Sequence, residues 1–210
     1  MELGQRLAVL YPVSECALEY AGDPWRLLVM ARLSAQCTDK RVNIVSKTLF
    51  ERYPTPFDMM EADISELEEI VRPCGLYRMK AESIKAASMM LVSEFGGELP
   101  QDMDELLRLP GVGRKIANLL LGDIYHMPAI VCDTHCIRIC GRIGIYPEKE
   151  KSAEKVERIL RSLMDVTEGS DFCHRIVEFG REICDARLPK CSACPMRDIC
   201  LHYERNSSKN

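Results

Sequence analysis

Four cysteines near the end of the chain lie close enough in sequence to bind one metal centre. They are Cys184, Cys191, Cys194 and Cys200, with spacers of six, two and five residues. Packing alone does not explain this density, because thiolates at such spacing are typical ligands of a tetrahedral zinc ion or of an iron–sulfur cluster. The spacing by itself leaves both kinds of centre open.

A glycine-rich turn lies within the sequence LPGVGRKIA, residues 109–117. An amphipathic segment ends at Leu109 and a second helix is predicted to begin at about Arg114, so two helices are joined by a hairpin. Glycines allow a close approach of the backbone, and the amides of the hairpin and of the helix N-terminus could hold a phosphate oxygen. This resembles the helix-hairpin-helix DNA-binding motif, with a plain turn between core helices as the alternative. The candidate DNA contacts here are Gly111, Val112, Gly113 and Arg114.

Lys115 and Asp133 are a lysine and a carboxylate that could perform amine chemistry together. Lys115 lies at the predicted start of a helix, where the helix dipole favours a neutral, nucleophilic amine. Asp133 follows within the sequence VCDTH, at the apparent start of another helix. A neutral lysine can form a Schiff base with a sugar carbon, and a carboxylate can stabilise the cation that develops as a base departs. Taken singly, Lys115 could be only a phosphate contact and Asp133 only an N-cap.

The hairpin at 109–117, followed by the sequence at 131–135, resembles the helix-hairpin-helix DNA glycosylase superfamily. Further sequences resemble its endonuclease III branch: LSAQCTD at 33–39, GLY at 75–77 with KA at 80–81, and GR at 141–142. The resemblance extends from about Trp25 to Tyr203. It implies that Lys115 is the nucleophile, that Asp133 is the catalytic carboxylate, and that Gln36 and Leu76 enter the duplex where the damaged base is flipped out. Read alone, Gln36 could cap a helix and Leu76 could pack in the core.

The same resemblance implies that the four cysteines hold a 4Fe-4S cluster, with zinc as a minor alternative. Its implied role is structural, because it would close a loop that presents Arg187 and Lys190 to the DNA backbone. Leu188 departs from the family pattern, in which a basic residue commonly occupies this position. Arg187 and Lys190 could also be an ordinary solvated face. The other seven cysteines are expected to be core residues, although Cys132, Cys136 and Cys140 share one predicted helical face and could form a second metal site.

The function implied is that of a bifunctional DNA glycosylase and abasic-site lyase of base-excision repair, which removes oxidised pyrimidines and cuts the strand by β-elimination. A monofunctional relative that removes mispaired adenine or thymine is one alternative, although such enzymes generally carry Tyr or Ser in place of Lys115. A non-catalytic protein that binds DNA structures is a second alternative. The implied partner is double-stranded DNA with a damaged base or an abasic site, bound by a monomer.

Composition sets wider limits. Apolar residues form 47% of the chain and charged residues 29%, which excludes a disordered or collagen-like protein. The apolar runs are far shorter than the roughly 18 residues of a membrane span, and no secretory signal is visible, so we expect a cytoplasmic, nucleoid-associated protein. The net charge of −4 argues mildly against nucleic-acid binding, but six acids cluster between Asp58 and Glu69, whereas bases predominate from Pro110 to Ile145.

Helical periodicity with start and stop signals predicts an all-α fold. Asp23 and Thr38 are predicted to cap helices, the first of them running to Gln36, and a long helix is predicted over 77–95. The resemblance implies two helical domains that flank a DNA-binding cleft. A six-helix domain would cover 18–127, with the helix-hairpin-helix at about 105–125. A discontinuous iron–sulfur domain would combine 1–17 with 128–205, so that Lys115 and Asp133 face each other across the cleft, and 206–210 would form a disordered tail.

Overall fold

The computed structural model describes residues 1–207, which contain α-helices and short 3-10 turns but no β-strand. The predicted all-α fold is confirmed. The helices are α1 (Glu2–Leu10), α2 (Pro24–Leu33), α3 (Asp39–Arg52), α4 (Pro56–Met60), α5 (Ile64–Val71), α6 (Tyr77–Phe95), α7 (Met103–Arg108), α8 (Arg114–Asp123), α9 (Thr134–Ile143), α10 (Ala153–Leu163), α11 (Gly169–Glu182) and α12 (Leu201–Ser207). None of these helices is long and apolar enough to span a bilayer.

One compact unit is formed by Cys16–His126. Helix α6 is its centre: α4 and α5 pack along it, α2 contacts it, and α2 also contacts α3 and α8. The unit ends with α7 packed on α8 across the predicted hairpin. The part of the chain from 16 to 126 contains seven α-helices, of which α4 is the shortest with five residues.

The second compact unit combines Met1–Glu15 with the chain from Met127 onward. Helix α11 is its centre and packs against α1 and α9, while α12 packs against α9. The N-terminal helix is tied to the cysteine-rich segment by Arg6, whose guanidinium donates to both carboxylate oxygens of Asp198 at 2.6 Å. The cysteine-rich segment lies in this unit and includes two 3-10 turns, Cys191–Ala193 and Arg197–Ile199.

The predicted caps are observed at the starts of α2 and α3. The Asp23 carboxylate accepts from the amide of Arg26 at 3.2 Å, and the Thr38 hydroxyl accepts from the amide of Arg41 at 3.4 Å. Helix α6 covers the predicted 77–95 and ends at Gly96, whose φ is +64°. Side-chain acceptors and left-handed glycines satisfy the terminal backbone groups that a helix leaves unpaired.

Two predicted boundaries are wrong. Helix α2 ends at Leu33, not at Gln36, because the chain turns after Ser34: the Cys37 amide donates to the Ser34 carbonyl at 3.0 Å, and Gln36 is left-handed with φ +54°. Asn206 and Ser207, expected in a disordered tail, are the last residues of α12. The rest of that predicted tail, 208–210, lies outside the described residues.

The packing of α6 predicts which of its side chains contribute to stability. Ile84 is fully buried, whereas Met89 on the same helix is half exposed. We expect Ile84→Ala to lower the free energy of unfolding by about 2–4 kcal/mol, since it leaves a cavity in the core. Met89→Ala, the matched control, should change it by less than about 0.5 kcal/mol. Urea unfolding measures both values, and equal losses would contradict this account of α6.

Candidate functional site

The hairpin between α7 and α8 is tightly closed. The Leu109 amide donates to the Leu106 carbonyl at 3.2 Å, and the Val112 amide donates to the Leu109 carbonyl at 3.0 Å. Gly111 is left-handed with φ +80°, and a Cβ added to it would lie 2.6 Å from Nε of Arg32. Both the backbone conformation and the close contact therefore require glycine at this position. The predicted pair of helices joined by a hairpin is confirmed.

The exposed side of this hairpin is formed by Gly113 and the first residues of α8. Gly113 is the N-cap of α8, and because it has no side chain the helix begins without a side-chain cap. Arg114 and Lys115 follow as exposed residues of the first turn. The N-terminal turn of a helix presents backbone amides and the positive end of the helix dipole, which is the arrangement that binds a phosphate oxygen.

Val112 differs from the other predicted DNA contacts in this hairpin. Its side chain is buried, and its amide is used within the turn by the Leu109 carbonyl. Both groups thus fix the turn, and the predicted contact of Val112 with DNA stays a prediction. The predicted contacts of Gly111, Gly113 and Arg114 with DNA stay predictions.

The two hairpin glycines give a matched pair of variants. Gly111→Ala places a Cβ in a left-handed residue and against Arg32, and we expect it to lower the free energy of unfolding by about 1–3 kcal/mol. Gly113 has an extended backbone with open space around its Cα, so Gly113→Ala should cost less than about 1 kcal/mol. Chemical denaturation measures the free energy of unfolding of both variants. A larger loss of stability in Gly113→Ala than in Gly111→Ala would contradict this account of the hairpin.

Lys115 and Asp133 lie at the starts of two different helices. Lys115 is the second residue of α8 and is exposed, in the Cys16–His126 unit. Asp133 belongs to the other unit and caps α9: its Oδ1 accepts from the Cys136 amide at 2.8 Å. The N-cap alternative for Asp133 is thus observed. It does not exclude a second role, because the cap occupies Oδ1 and the side chain is only half buried.

Gln36 and Leu76 share an uncommon conformation. Both are exposed residues in the left-handed region, with φ values of +54° and +48°, in short connections between helices. Leu76 is 48% exposed, so the alternative of a core residue is wrong. The helix caps around Gln36 are Ser34 and Thr38, so the capping alternative for Gln36 is wrong as well. A large left-handed residue exposed on a turn is strained, and such strain occurs mostly at functional sites.

The four predicted metal ligands surround one cavity. It is lined by Cys184, Cys191, Cys194 and Cys200 together with apolar side chains from Ile139, Phe179, Ile183 and Met196. Burial raises the pKa of Cys194 and of Cys200, and the neighbouring thiols raise both further. Four thiolates are therefore unfavourable here without a bound cation, which is the property of a metal centre. Four thiol ligands in apolar surroundings are the environment that an iron–sulfur cluster requires, so these residues fit such a cluster.

Arg142 of α9 holds the first ligand of this set, and the sequence analysis missed that role. Its Nη1 donates to the Cys184 Sγ at 3.3 Å and to the Asp185 carbonyl at 2.7 Å, and its Nη2 donates to the Ala186 carbonyl at 2.9 Å. Arg138, one turn earlier, donates to the Cys184 carbonyl at 2.9 Å. The spacing of these two arginines could have indicated this role, because residues four apart lie on one face of a helix and can contact the same segment.

The loop from Cys184 to Cys191 exposes the two predicted basic DNA contacts. The Asp185 carboxylate accepts from the amides of Arg187 and Leu188 at 2.8 and 2.9 Å, which lowers the pKa of Asp185 and fixes the turn. Arg187 and Lys190 are exposed, and Leu188 is 83% exposed. The loop therefore presents both cations to solvent, with an apolar side chain between them.

The remaining cysteines are mostly core residues, as predicted. Cys132, Cys136, Cys140 and Cys173 are buried, and the pKa of Cys136 is raised by its hydrogen bonds with the other three thiols and by burial. Within residues 1–207 no three His, Cys, Asp or Glu side chains converge on a point where they could hold a single metal ion, and this applies to Cys132, Cys136 and Cys140 as well as to the four cysteines around the cavity. The structure thus gives no support for the second metal site considered for Cys132, Cys136 and Cys140.

The hydrogen bonds of Arg142 predict how firmly a metal centre bound by these cysteines would be held. Arg142→Met keeps the length of the side chain but removes the donors to Cys184, Asp185 and Ala186, so we expect the loaded protein to lose its metal faster in a chelator. Arg161→Met is the control, because Arg161 is an exposed arginine of the same unit that donates to the Pro128 carbonyl at 3.3 Å, away from the cavity. Metal content and visible absorbance followed over time give the two rates, which would be equal if Arg142 had no such role.

Comparison with known proteins gives concordant results. Residues 29–165 match the family described as HhH-GPD superfamily base excision DNA repair protein. Endonuclease III of Bacillus subtilis (strain 168) is 40% identical over 204 residues, which cover 97% of this chain and 92% of that protein. Among solved structures, a non-covalent endonuclease III–DNA complex matches with a TM-score of 0.94 and 39% identity, covering 99% of this chain and 96% of that one. A trapped endonuclease III–DNA covalent intermediate matches with a TM-score of 0.93, 39% identity and 98% and 96% coverage.

Proposed function

Because this chain belongs to the endonuclease III family of the HhH-GPD base excision DNA repair proteins, we propose that it removes oxidised pyrimidines from duplex DNA through a Schiff base on Lys115. The enzyme class is that of a DNA glycosylase and abasic-site lyase. The observation that carries the proposal is the position of Lys115: an exposed amine in the first turn of α8, directly after a hairpin built to hold a phosphate.

Lys115 supplies the nucleophile for both steps of the proposed reaction. Its neutral amine attacks the sugar C1′, the C1′–N bond to the base breaks, and the base leaves with the electron pair and takes up a proton. The bound amine then loses one proton, and the C1′–O4′ bond breaks as O4′ takes up a proton, which gives the protonated Schiff base. Removal of a proton from C2′ then expels the 3′ phosphate, which cuts the strand 3′ to the lesion. A monofunctional enzyme would need no amine here, and Lys115 therefore favours the bifunctional reaction.

The hairpin and the helix dipole suit Lys115 to this role. The backbone amides and the positive end of the α8 dipole can hold a phosphate beside the Lys115 amine. A phosphate held at the same helix start would fix the adjacent sugar, and such positioning accounts for much of the acceleration in reactions of this kind. The hairpin itself reads no sequence, as expected for an enzyme that must search all DNA.

Asp133 is proposed to stabilise the positive charge that develops on the sugar as the base departs. A carboxylate does this best when its orientation is fixed before the reaction begins. The hydrogen bond from the Cys136 amide to Oδ1 provides that orientation and also caps the N-terminus of α9. The capping and catalytic roles of Asp133 thus support one another.

Gln36 and Leu76 are proposed to enter the duplex at the extruded nucleotide. The exposed apolar side chain of Leu76 can stack between bases, and the amide of Gln36 can form hydrogen bonds with a base left without a partner. The energy of unstacking is lowest at a damaged or mispaired base, which makes extrusion itself selective.

A 4Fe-4S cluster held by Cys184, Cys191, Cys194 and Cys200 is proposed as the metal centre. When bound, it would supply a cross-link between these four side chains, with no part in bond breaking at the sugar. Zinc is disfavoured, because a zinc ion needs thiolates converging on one point, whereas these cysteines surround a cavity. The loop that the cluster closes carries Arg187 and Lys190, which we propose contact the DNA backbone.

Borohydride trapping tests the proposed function. With a duplex containing one thymine glycol, the wild-type protein should give a covalent protein–DNA adduct, because borohydride reduces the Schiff base to a stable amine. Lys115→Ala should give no adduct. Asp133→Asn should lower adduct formation by at least about 100-fold, since it removes the charge that stabilises the transition state.

Lys47→Ala is the matched control, since Lys47 is an exposed lysine on α3 of the same unit. It should trap as well as the wild type. If Lys115→Ala still forms the adduct, another amine is the nucleophile and the proposal fails. If the wild-type protein binds the duplex and forms no adduct even at a preformed abasic site, the lyase assignment fails altogether.

A further inference from the structure

Lys80 is a fully buried cation on the first turn of α6 and takes no part in the proposed chemistry. Its Nζ donates to three backbone carbonyls: Leu33 at 2.8 Å, Ala35 at 2.7 Å and Cys74 at 2.9 Å. An ammonium has three hydrogens, so all of its donors are used. Burial lowers the pKa of Lys80, and the three carbonyls offset the cost of removing the charge from water.

These carbonyls belong to the two connections that carry Gln36 and Leu76. Leu33 is the last residue of α2, three residues before Gln36, and Ala35 lies immediately before Gln36, while Cys74 lies two residues before Leu76. One ammonium therefore joins the connection between α2 and α3 to the connection between α5 and α6. Each connection contains an exposed left-handed residue, Gln36 in one and Leu76 in the other.

The next turn of α6 extends this arrangement to the hairpin. The Ser83 hydroxyl donates to the Lys80 carbonyl at 3.0 Å and accepts from Nε of Arg32 at 2.8 Å. Gly111 packs against the same pair, since a Cβ there would come within 2.9 Å of the Ser83 Cβ. The first two turns of α6 thus support all three segments that the proposed function directs to DNA.

We propose that Lys80 is a positioning residue that holds Gln36 and Leu76 as one preformed wedge for insertion into the duplex. The inference rests on the proposed function, since it deepens the roles given there to these two side chains. Lys80 cannot act on DNA directly, because its amine is buried and fully bonded. Without it, the carbonyls of Leu33, Ala35 and Cys74 lose their common donor, and the two connections become independent of each other.

Lys80→Met tests this, because it keeps the length of the side chain and removes the three donors. The duplex contains thymine glycol with 2-aminopurine in the opposite strand, whose fluorescence rises when it is unstacked. We expect single-turnover excision to fall by roughly 10- to 100-fold and the fluorescence rise to be lost. Borohydride trapping on a single-stranded abasic oligonucleotide should be unchanged, because that substrate needs no wedge.

Lys85→Met is the matched control. Lys85 also lies on α6 and donates from Nζ to a backbone carbonyl, that of Ala62 at 2.6 Å, but this carbonyl is in neither DNA-directed connection. It should leave excision and fluorescence as in the wild type. Lys80→Gln, which keeps two donors, should restore part of the lost excision, and it carries the comparison if Lys80→Met does not fold, as judged by circular dichroism.

Three results would overturn the inference: a folded Lys80→Met that excises from the duplex at the wild-type rate, an equal loss of trapping on single-stranded DNA, or an equal loss in Lys85→Met. A double-mutant cycle adds an independent check, because Lys80→Met should add little to a protein already carrying Gln36→Ala and Leu76→Ala. If the wild-type protein forms no adduct on either substrate, the proposed function fails. If only the dependence on Lys80 is missing, this inference alone fails.

Discussion

Buried carbonyls in irregular backbone must find donors, and this constraint governs both candidate sites of the protein. A helix pairs its own backbone amides and carbonyls. The connections between helices at the candidate sites have no such regular hydrogen-bond pattern. In the Cys16–His126 unit the donor is the ammonium of Lys80, and in the other unit it is the guanidinium of Arg142, supported by Arg138. Each cation is buried at the start or on one face of a helix and binds carbonyls from distant parts of the chain. A rigid helix thereby holds in place a connection that has no regular hydrogen bonds of its own.

Three residues with left-handed backbone lie in the segments that these cations and helices hold in place. Gly111 needs its conformation because the hairpin packs on Arg32 and Ser83, and glycine adopts it without strain. Gln36 and Leu76 adopt it at a cost, since a side chain with Cβ is disfavoured there. The packing of neighbouring residues maintains that strain and keeps both side chains exposed. In the proposed insertion, side chains already held exposed would lose little conformational entropy, which favours tight and selective binding.

The sequence predicted those features that depend on neighbours along the chain. Asp23, Thr38 and Gly96 were identifiable as helix ends because capping is local, and the hairpin was identifiable from its glycines. The end of α2 was not, because the turn after Ser34 depends on a left-handed residue that no local rule predicts. The inward orientation of Val112 and the contacts of Lys80 and Arg142 were also inaccessible. They join residues more than forty positions apart in most cases, and only the packing of helices brings such residues together.

Net charge is a poor guide to partners here, because acids and bases are not spread evenly. The acidic run in α4 and α5 is partly neutralised within its own unit: Glu66 pairs with Arg52 at 2.6 Å, and Glu69 pairs with Arg72 at 2.6 Å. Such exposed pairs add little stability, but they reduce the local negative field. The first turn of α8 instead combines two exposed bases with a helix start. Backbone amides and a helix dipole attract phosphate whatever the total charge is, so an acidic chain can still bind DNA through a small surface of this kind.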